Sequence, residues 1–170
     1  MKNYLTIFIT SAFILGLVFF VNQYTKPDLK SYPTRGLVYI NVWEEWCKPC
    51  IAELPELQKL QDRYVTVKFI LLSDSKDTEQ AKNLLKKLKI DGFKEIYDTE
   101  KQTEIAGIFS GSDVGVVPKH IIINDGKVVY KSVGSGPEVI KEIEKVFREN
   151  HAVMVESSGK DSVSVKKEVF

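Results

Sequence analysis

The sequence is poor in the residues that build metal sites and disulfide frameworks. Its 170 residues include two cysteines, two histidines and two methionines. A structural zinc site takes four ligands, typically cysteine and histidine, and the two cysteines supply only half of them. The formal net charge is +1, and no long run of one sign occurs, so nothing favours a nucleic-acid partner. No internal repeat is visible.

Charge is also missing from one end of the chain. No charged residue lies between Asn3 and Thr25, and the eighteen residues from Tyr4 to Val21 are mostly apolar. As a helix they would rise about 27 Å, close to the hydrocarbon thickness of a bilayer. A cleaved signal peptide is less favoured, because its apolar region is shorter and no small-x-small site follows here. We therefore predict a transmembrane signal anchor over residues 1–24.

Three further segments follow from composition. Residues 25–36 contain two prolines and a glycine and are predicted to be a linker. Residues 37–150 contain the apolar periodicity of a folded domain. Residues 151–170 are polar and have no continuous apolar stripe at helical spacing, so they are predicted to form a mostly disordered tail. Valines alternate with other residues in this tail, so an additional edge strand is the alternative.

The predicted domain alternates strands and helices before it closes with a hairpin. This order predicts parallel β-α-β units followed by antiparallel strands, hence a mixed sheet with helices on both faces. The predicted strands are Leu37–Trp43, Val65–Leu72, Phe93–Tyr97, His120–Ile123 and Lys127–Val133, and the predicted helices are 49–64, 77–89, 101–109 and one beginning at Pro137.

Both cysteines lie at the junction of the first predicted strand and helix, in Trp46-Cys47-Lys48-Pro49-Cys50. The N–H groups and dipole of a helix N-terminus stabilise negative charge, so Cys47 is expected to favour the nucleophilic thiolate. Cys50, one turn further, can resolve a mixed disulfide. A structural disulfide is the plain alternative, although a bridge closing so short a loop contributes little chain-entropy stabilisation.

The stretch NVWEEWCKPCIAELPEL resembles the active-site region of the thioredoxin fold. It is similar in particular to the membrane-anchored, extracytoplasmic thiol-disulfide oxidoreductases of the TlpA/ResA/CcmG type, over roughly residues 37–150. The resemblance implies an α/β fold with three α/β/α layers and a mixed central sheet, here preceded by one N-terminal transmembrane helix. It also implies a catalytic dithiol that uses no cofactor and no metal.

The resemblance identifies two further residues on the first helix. Glu53, three residues after Cys50, matches the glutamate of a C-x-x-C-x-x-E-x-P pattern in the family. A partly buried carboxylate there has a raised pKa and could take up the Cys50 proton. The alternative is an exposed helix glutamate. Pro55 matches the proline that kinks the active-site helix.

The substrate-binding surface follows from the same resemblance. Pro118 matches the cis-proline that faces the dithiol, and with Val117 and Trp46 it is expected to receive the substrate peptide. Val117 offers no hydroxyl, so its contacts would use backbone groups. His120, two residues beyond Pro118, is expected to be an ordinary strand residue, with a functional role left open.

The charges around Cys47 oppose one another. Glu44 and Glu45 would disfavour its thiolate, whereas Lys48 would favour it. If the carboxylates dominate, the thiol pKa stays high and the disulfide is less oxidising, which suits a reductant.

The expected function is therefore reduction of disulfides in exported proteins by an anchored domain in the periplasm or at the outer face of the membrane. Apocytochrome c is one possible substrate class, and a membrane thiol-reducing protein is the expected electron donor. Two alternatives stay open. Cys47, Cys50 and His120 could hold Cu(I) or another soft metal, or the domain could be a redox-inert tethered interaction module.

Overall fold

The computed structural model describes residues 11–17, 32–33 and 35–155. Residues 11–17 are helical and exposed, and the rest of the predicted anchor lies outside the described residues. Among the residues described, no helix has the length and apolarity to cross a bilayer. The predicted linker is described only at residues 32–33 and 35–36, and the predicted tail only as far as residue 155.

Five strands form one mixed sheet, with the order β3-β2-β1-β4-β5. The three strands β1, β2 and β3 are parallel, β4 runs antiparallel beside β1, and β5 closes a hairpin with β4. The prediction of parallel strands followed by a closing antiparallel hairpin is confirmed. The strands are β1 Leu37–Val42, β2 Lys68–Ser73, β3 Lys94–Tyr97, β4 Lys119–Asn124 and β5 Lys127–Val133.

Four helices of the domain cover both faces of the sheet. They are α1 Lys48–Arg63, α2 Thr78–Lys87, α3 Thr99–Ala106 and α4 Pro137–Glu149, and a 3-10 turn occupies Gly111–Asp113. Pro137 lies in the first turn of α4, as predicted. α2 and α3 begin at aspartate caps, where Asp77 and Asp98 each accept a backbone N–H bond. The α3 cap explains why that helix starts at Thr99, two residues before the predicted start.

Each face of the sheet carries its own hydrophobic core, because side chains alternate along the strands. On one face Tyr39, Phe69 and Phe147 meet edge to face, with ring centroids 5.3–5.9 Å apart. The leucines of α1, together with residues of α2 and α4, complete this layer. The opposite face packs against α3. The expected three-layer α/β/α arrangement is therefore present.

Tyr32, in the predicted linker, belongs to the folded domain. Its side chain is 3% exposed and packs in the core on the α3 face. Its hydroxyl donates to the backbone oxygen of Lys101 at 3.1 Å. The local sequence predicts a linker because Tyr32 makes its contacts with residues far along the chain, such as Lys101, and these leave no local pattern.

Residues 151–155, at the start of the predicted tail, lie against the end of α1. Met154 forms an antiparallel bridge with Tyr64, and the Val155 N–H donates to Arg63 O at 2.9 Å. Val153 N–H donates to Thr66 Oγ1 at 2.9 Å. The contacts involve Arg63, Tyr64 and Thr66, so the segment after α1 pairs with residues 153–155, and β2 begins at Lys68 and not at the predicted Val65.

Replacing Tyr32 tests whether this segment is part of the domain. Tyr32→Ala should lower the free energy of unfolding of the full chain by about 3 kcal/mol, since it removes a buried aromatic side chain. Tyr32→Phe, which removes only the hydroxyl, should cost about 1 kcal/mol. Urea denaturation followed by tryptophan fluorescence measures both. A free energy of unfolding equal to that of wild type in Tyr32→Ala would contradict the burial of Tyr32 in the domain.

Candidate active site

Cys47 and Cys50 form a disulfide at the N-terminus of α1. Cys47 is the N-cap residue, and its Sγ accepts from the Cys50 N–H at 3.3 Å. The predicted position of the motif, at the end of β1 and the start of a helix, is confirmed. An N–H group of the first helical turn therefore points at Cys47 Sγ, where a thiolate would form on reduction.

In this disulfide form both sulfurs are shielded from solvent. Cys47 is 3% exposed and Cys50 is fully buried. The neighbouring Trp46 is 69% exposed, whereas Trp43 is buried in the core, as expected. Trp46 therefore presents a large apolar surface beside a disulfide that a partner reaches only at Cys47.

Glu53 lies one turn after Cys50, on the buried side of α1. Its side chain is nearly inaccessible, and Oε1 accepts from Asn41 Nδ2 at 3.0 Å. Asn41 comes from β1 and is itself fully buried. The plain alternative of an exposed helix glutamate is therefore wrong, because this turn of α1 faces the sheet.

His120, on β4, completes a buried polar cluster behind the cysteines. Its Nε2 is 2.8 Å from Gly134 O, its Nδ1 is 2.7 Å from the Tyr39 hydroxyl, and Nε2 also lies 3.6 Å from Glu53 Oε2. A carbonyl oxygen only accepts, so the proton is on Nε2 and Nδ1 accepts from Tyr39. The imidazole is held in one tautomer.

Burial shifts the proton affinities of both groups toward their neutral forms. Desolvation raises the pKa of Glu53 from 4.5 to about 8, although the Asn41 hydrogen bond acts in the opposite direction. Desolvation lowers the pKa of His120 from 6.5 to about 4, against the effect of the Gly134 hydrogen bond. At neutral pH the cluster therefore holds a protonated carboxyl beside a neutral imidazole.

The Val117–Pro118 peptide bond is cis, as the resemblance implied. Val117 and Trp46 both line a cleft of about 370 Å³. The structure thus brings two of the three predicted substrate-binding residues to one cavity. Its other lining residues are Val42, Glu44, Asp74, Gln102, Thr103, Ala106, Val114, Gly115 and Lys119.

Comparison with known families agrees with this geometry. Residues 22–147 match the Redoxin family. The chain belongs to the Redoxin family. The match includes the cysteine motif, the cis-proline segment and Tyr32, whose packing places the predicted linker partly inside the domain.

The chain is also similar to individual relatives and solved structures. The thiol-disulfide oxidoreductase ResA of Bacillus cereus is 38% identical over 113 residues, which cover 64% of this chain and 61% of that protein. A thioredoxin-family thiol:disulfide interchange protein of Chlorobium tepidum has a TM-score of 0.59 at 19% identity, covering 68% of this chain and 79% of that one. StoA of Bacillus subtilis has a TM-score of 0.54 at 18% identity, covering 66% and 84%. The solved structures show that this Redoxin-family domain has a thioredoxin-like fold.

Glu44 has a buried carboxyl group just after β1, and its expected effect on the Cys47 thiolate stays a prediction. Its carboxylate accepts from Ser73 Oγ at 2.8 Å, from the Asp74 N–H at 3.1 Å and from Gln102 Nε2 at 2.6 Å. Glu44 is 2% exposed, and burial raises the pKa of its carboxyl group. Glu44 therefore ties the segment after β1 to β2 and α3.

Asn41 and Tyr39 are the residues that the sequence analysis missed. A signal was present, because Asn41 is the one polar residue in the apolar run LVYINVW. A polar side chain inside a buried strand needs a hydrogen-bonding partner, and here the partner is Glu53. Tyr39 hydrogen-bonds His120 only because β1 pairs with β4, so no pattern in the neighbouring sequence predicts this contact.

The soft-metal alternative finds little support in the described part of the chain. Both ring nitrogens of His120 are engaged, with Tyr39 and with Gly134 O. No group of three or more His, Cys, Asp or Glu side chains there is arranged to hold a metal ion.

Glu53 predicts a specific dependence of stability on pH. Its folded-state pKa of about 8 exceeds 4.5, so the folded protein binds more protons between these values and loses stability as pH rises. Glu53→Gln keeps the shape of the protonated carboxyl without its titration. The variant should therefore gain stability relative to wild type between pH 5 and pH 9, at about 1.4 kcal/mol per pH unit within the window.

Urea denaturation of both proteins at pH 5, 7 and 9 measures this difference. His120 lowers the stability of both proteins below pH 6.5 and so cancels in the comparison. A difference that stays constant across this range would mean that Glu53 titrates as an ordinary carboxyl.

Proposed function

We propose that the protein is a thiol-disulfide oxidoreductase in which Cys47 and Cys50 carry electrons to protein disulfides. The observation that carries the proposal is the disulfide at the N-terminus of α1 with the buried Glu53 carboxyl one turn behind it. The similarity to ResA of Bacillus cereus supports the same chemistry. No cofactor is needed, because the electrons reside in the dithiol.

The first step is attack by the Cys47 thiolate on a substrate disulfide. Cys47 Sγ bonds to one substrate sulfur, and the other leaves as a thiolate that takes a proton from solvent. The Cys50 N–H, which points at Cys47 Sγ, stabilises the nucleophile. The exposed Trp46 ring and the backbone at Val117 and Pro118 offer the surface on which the substrate chain lies.

The second step resolves the mixed disulfide. Glu53 first releases its proton to solvent, its carboxylate then takes the proton of Cys50, and the resulting thiolate attacks Cys47 Sγ. The second substrate sulfur leaves as a thiolate, two electrons have moved to the substrate, and the Cys47–Cys50 disulfide remains. Glu53 ends this step protonated, which is its favoured state beside the disulfide at neutral pH.

Burial of Cys50 favours reduction of substrates over oxidation. A strong oxidant needs a reduced form stabilised as the thiolate. Cys50 is fully buried, and removal from solvent disfavours its charged thiolate. The dithiol therefore holds its protons and gives up electrons readily.

The proposed setting follows from the apolar segment that precedes the domain. Residues 1–24 anchor the protein, and the domain works in the periplasm or at the outer face of the membrane. Substrates are disulfide-containing exported proteins, with apocytochrome c, whose C-x-x-C-H cysteines must be reduced before haem attachment, as a candidate class. A membrane thiol-reducing protein regenerates the dithiol, and anchoring keeps the domain near that donor.

Trapping the mixed disulfide tests this function. The reduced full chain, in detergent, is mixed with an oxidised peptide that contains C-x-x-C-H. Wild type should release the reduced peptide, whereas Cys50→Ser should stall as a covalent adduct, since Cys50 can no longer attack Cys47. Mass spectrometry measures the adduct and the free peptide.

Cys47→Ser is the matched control and should form no adduct, because Cys50 is fully buried. A peptide with alanine in place of the histidine tests the substrate class, and slower release from it would support apocytochrome c. If wild type leaves the peptide oxidised, the oxidoreductase proposal fails and an inert interaction module remains.

A further inference from the structure

One oxygen of the Glu53 carboxyl is buried without a hydrogen bond among the described residues. Oε1 accepts from Asn41, but Oε2 has no such partner and faces His120 Nε2 at 3.6 Å. Buried polar atoms are normally paired, so an unpaired one needs a physical reason.

The reason lies in the protons that the two groups carry. His120 holds its proton on Nε2, since it donates to Gly134 O. Asn41 donates to Oε1, which places the proton of the neutral carboxyl on Oε2. Two donors then face each other, and their separation of 3.6 Å is longer than a hydrogen bond. Loss of the Oε2 proton turns this oxygen into an acceptor aimed at an N–H group that is already in place.

We infer that His120 is a positioning residue whose Nε2–H serves as the donor for the ionised Glu53 carboxylate, so that Glu53 can lose and regain the proton that it exchanges with Cys50. This inference rests on the proposed function and extends it to a residue outside the cysteine motif. The hydrogen bond to Glu53 forms only in the ionised state, and Gly134 O accepts the same N–H in the protonated state. His120 thus stabilises the negative charge of the Glu53 carboxylate in a buried site while the imidazole itself stays neutral.

The surroundings favour a neutral donor over a charged one. Tyr39 holds the tautomer from the other ring nitrogen, and its own pKa is well above the ordinary value because it is buried. The Lys119 ammonium bonds Val116 O and lies 5.6 Å from the Phe109 ring, away from the cluster. Among the described residues, the titratable groups near Glu53 and His120 are Tyr39 from β1, Tyr130 from β5 and Lys119 beside His120 on β4. Cys47 and Cys50, at the start of α1, do not titrate while they form the disulfide.

Two substitutions of matched size separate the donor from the bulk of the ring. His120→Gln keeps an N–H near the Nε2 position, whereas His120→Met has a similar length and no donor. The full chain in its disulfide form, in detergent, carries ¹³C-carboxyl glutamate, and NMR follows the Glu53 signal from pH 5 to pH 10. Glu53→Gln identifies the signal by its disappearance.

His120→Met should raise the Glu53 midpoint by about one pH unit or more, because a hydrogen bond to a charged group is lost. His120→Gln should stay near the wild-type midpoint. The pH profile of adduct resolution should move in the same way. Unchanged midpoints in both variants, or an equal rise in both, would overturn the inference, since the N–H would then be irrelevant.

A measurement on the wild-type protein tests the same inference without depending on whether the variants fold. The ¹⁵N signals of His120 should show the Nε2–H tautomer throughout, with a change in the Nε2 signal at the Glu53 midpoint near pH 8. Protonation of the ring itself lies near pH 4 and does not interfere. A His120 signal that ignores the Glu53 titration would also overturn the inference.

These titrations use the resting disulfide and need no substrate. Failure of the proposed function would instead appear as a wild-type protein that leaves peptide disulfides intact, whatever the midpoints are. The two failures are therefore distinguishable.

Discussion

Burial of the Glu53 carboxyl between α1 and the sheet sets the chemistry of this site. Helix periodicity fixes it one turn behind Cys50, and pairing of β1 with β4 brings Asn41 and His120 to the same place. A carboxyl in so dry a position keeps its proton at neutral pH. The dithiol and the proton acceptor therefore come from α1, and the donor that stabilises the acceptor's charge comes from β4.

The sheet makes this arrangement rigid. Asn41 and His120 are opposite one another in the antiparallel β1–β4 register. On the β5 side, the pairing of β4 with β5 and the hydrogen bond to Gly134 O hold the His120 imidazole in place. Glu44, buried at the other side of the junction, ties the segment before Cys47 to β2 and α3. Buried polar contacts thus hold the loop that carries the cysteines from both sides.

Much of this domain could be predicted from local sequence. The β-branched and aromatic runs located the strands, helical periodicity located the helices, and Asp125-Gly126 in the hairpin turn have the positive φ values that such turns require. The cysteine motif and Glu53 were identified by their spacing and resemblance. These features depend on residues close together in the chain.

The rest depended on contacts between distant residues. Tyr32 bonds Lys101, Glu44 bonds Gln102, and Val155 bonds Arg63, so none has a local signature. His120 looked like an ordinary strand residue because its partners become visible only once β1, β4 and α1 are assembled. Buried polar pairs across strands are therefore the features that sequence patterns reveal least.

The reduction potential of the Cys47–Cys50 pair tests the central claim most directly. The full chain, in detergent, would be equilibrated against thiol buffers of known potential, and alkylated cysteines would be counted by mass. A value at or below about −220 mV, toward the thioredoxin end of the scale, is the predicted result, because burial of Cys50 disfavours its thiolate. A value near about −120 mV, at the strongly oxidising end, would contradict the proposed direction of electron flow.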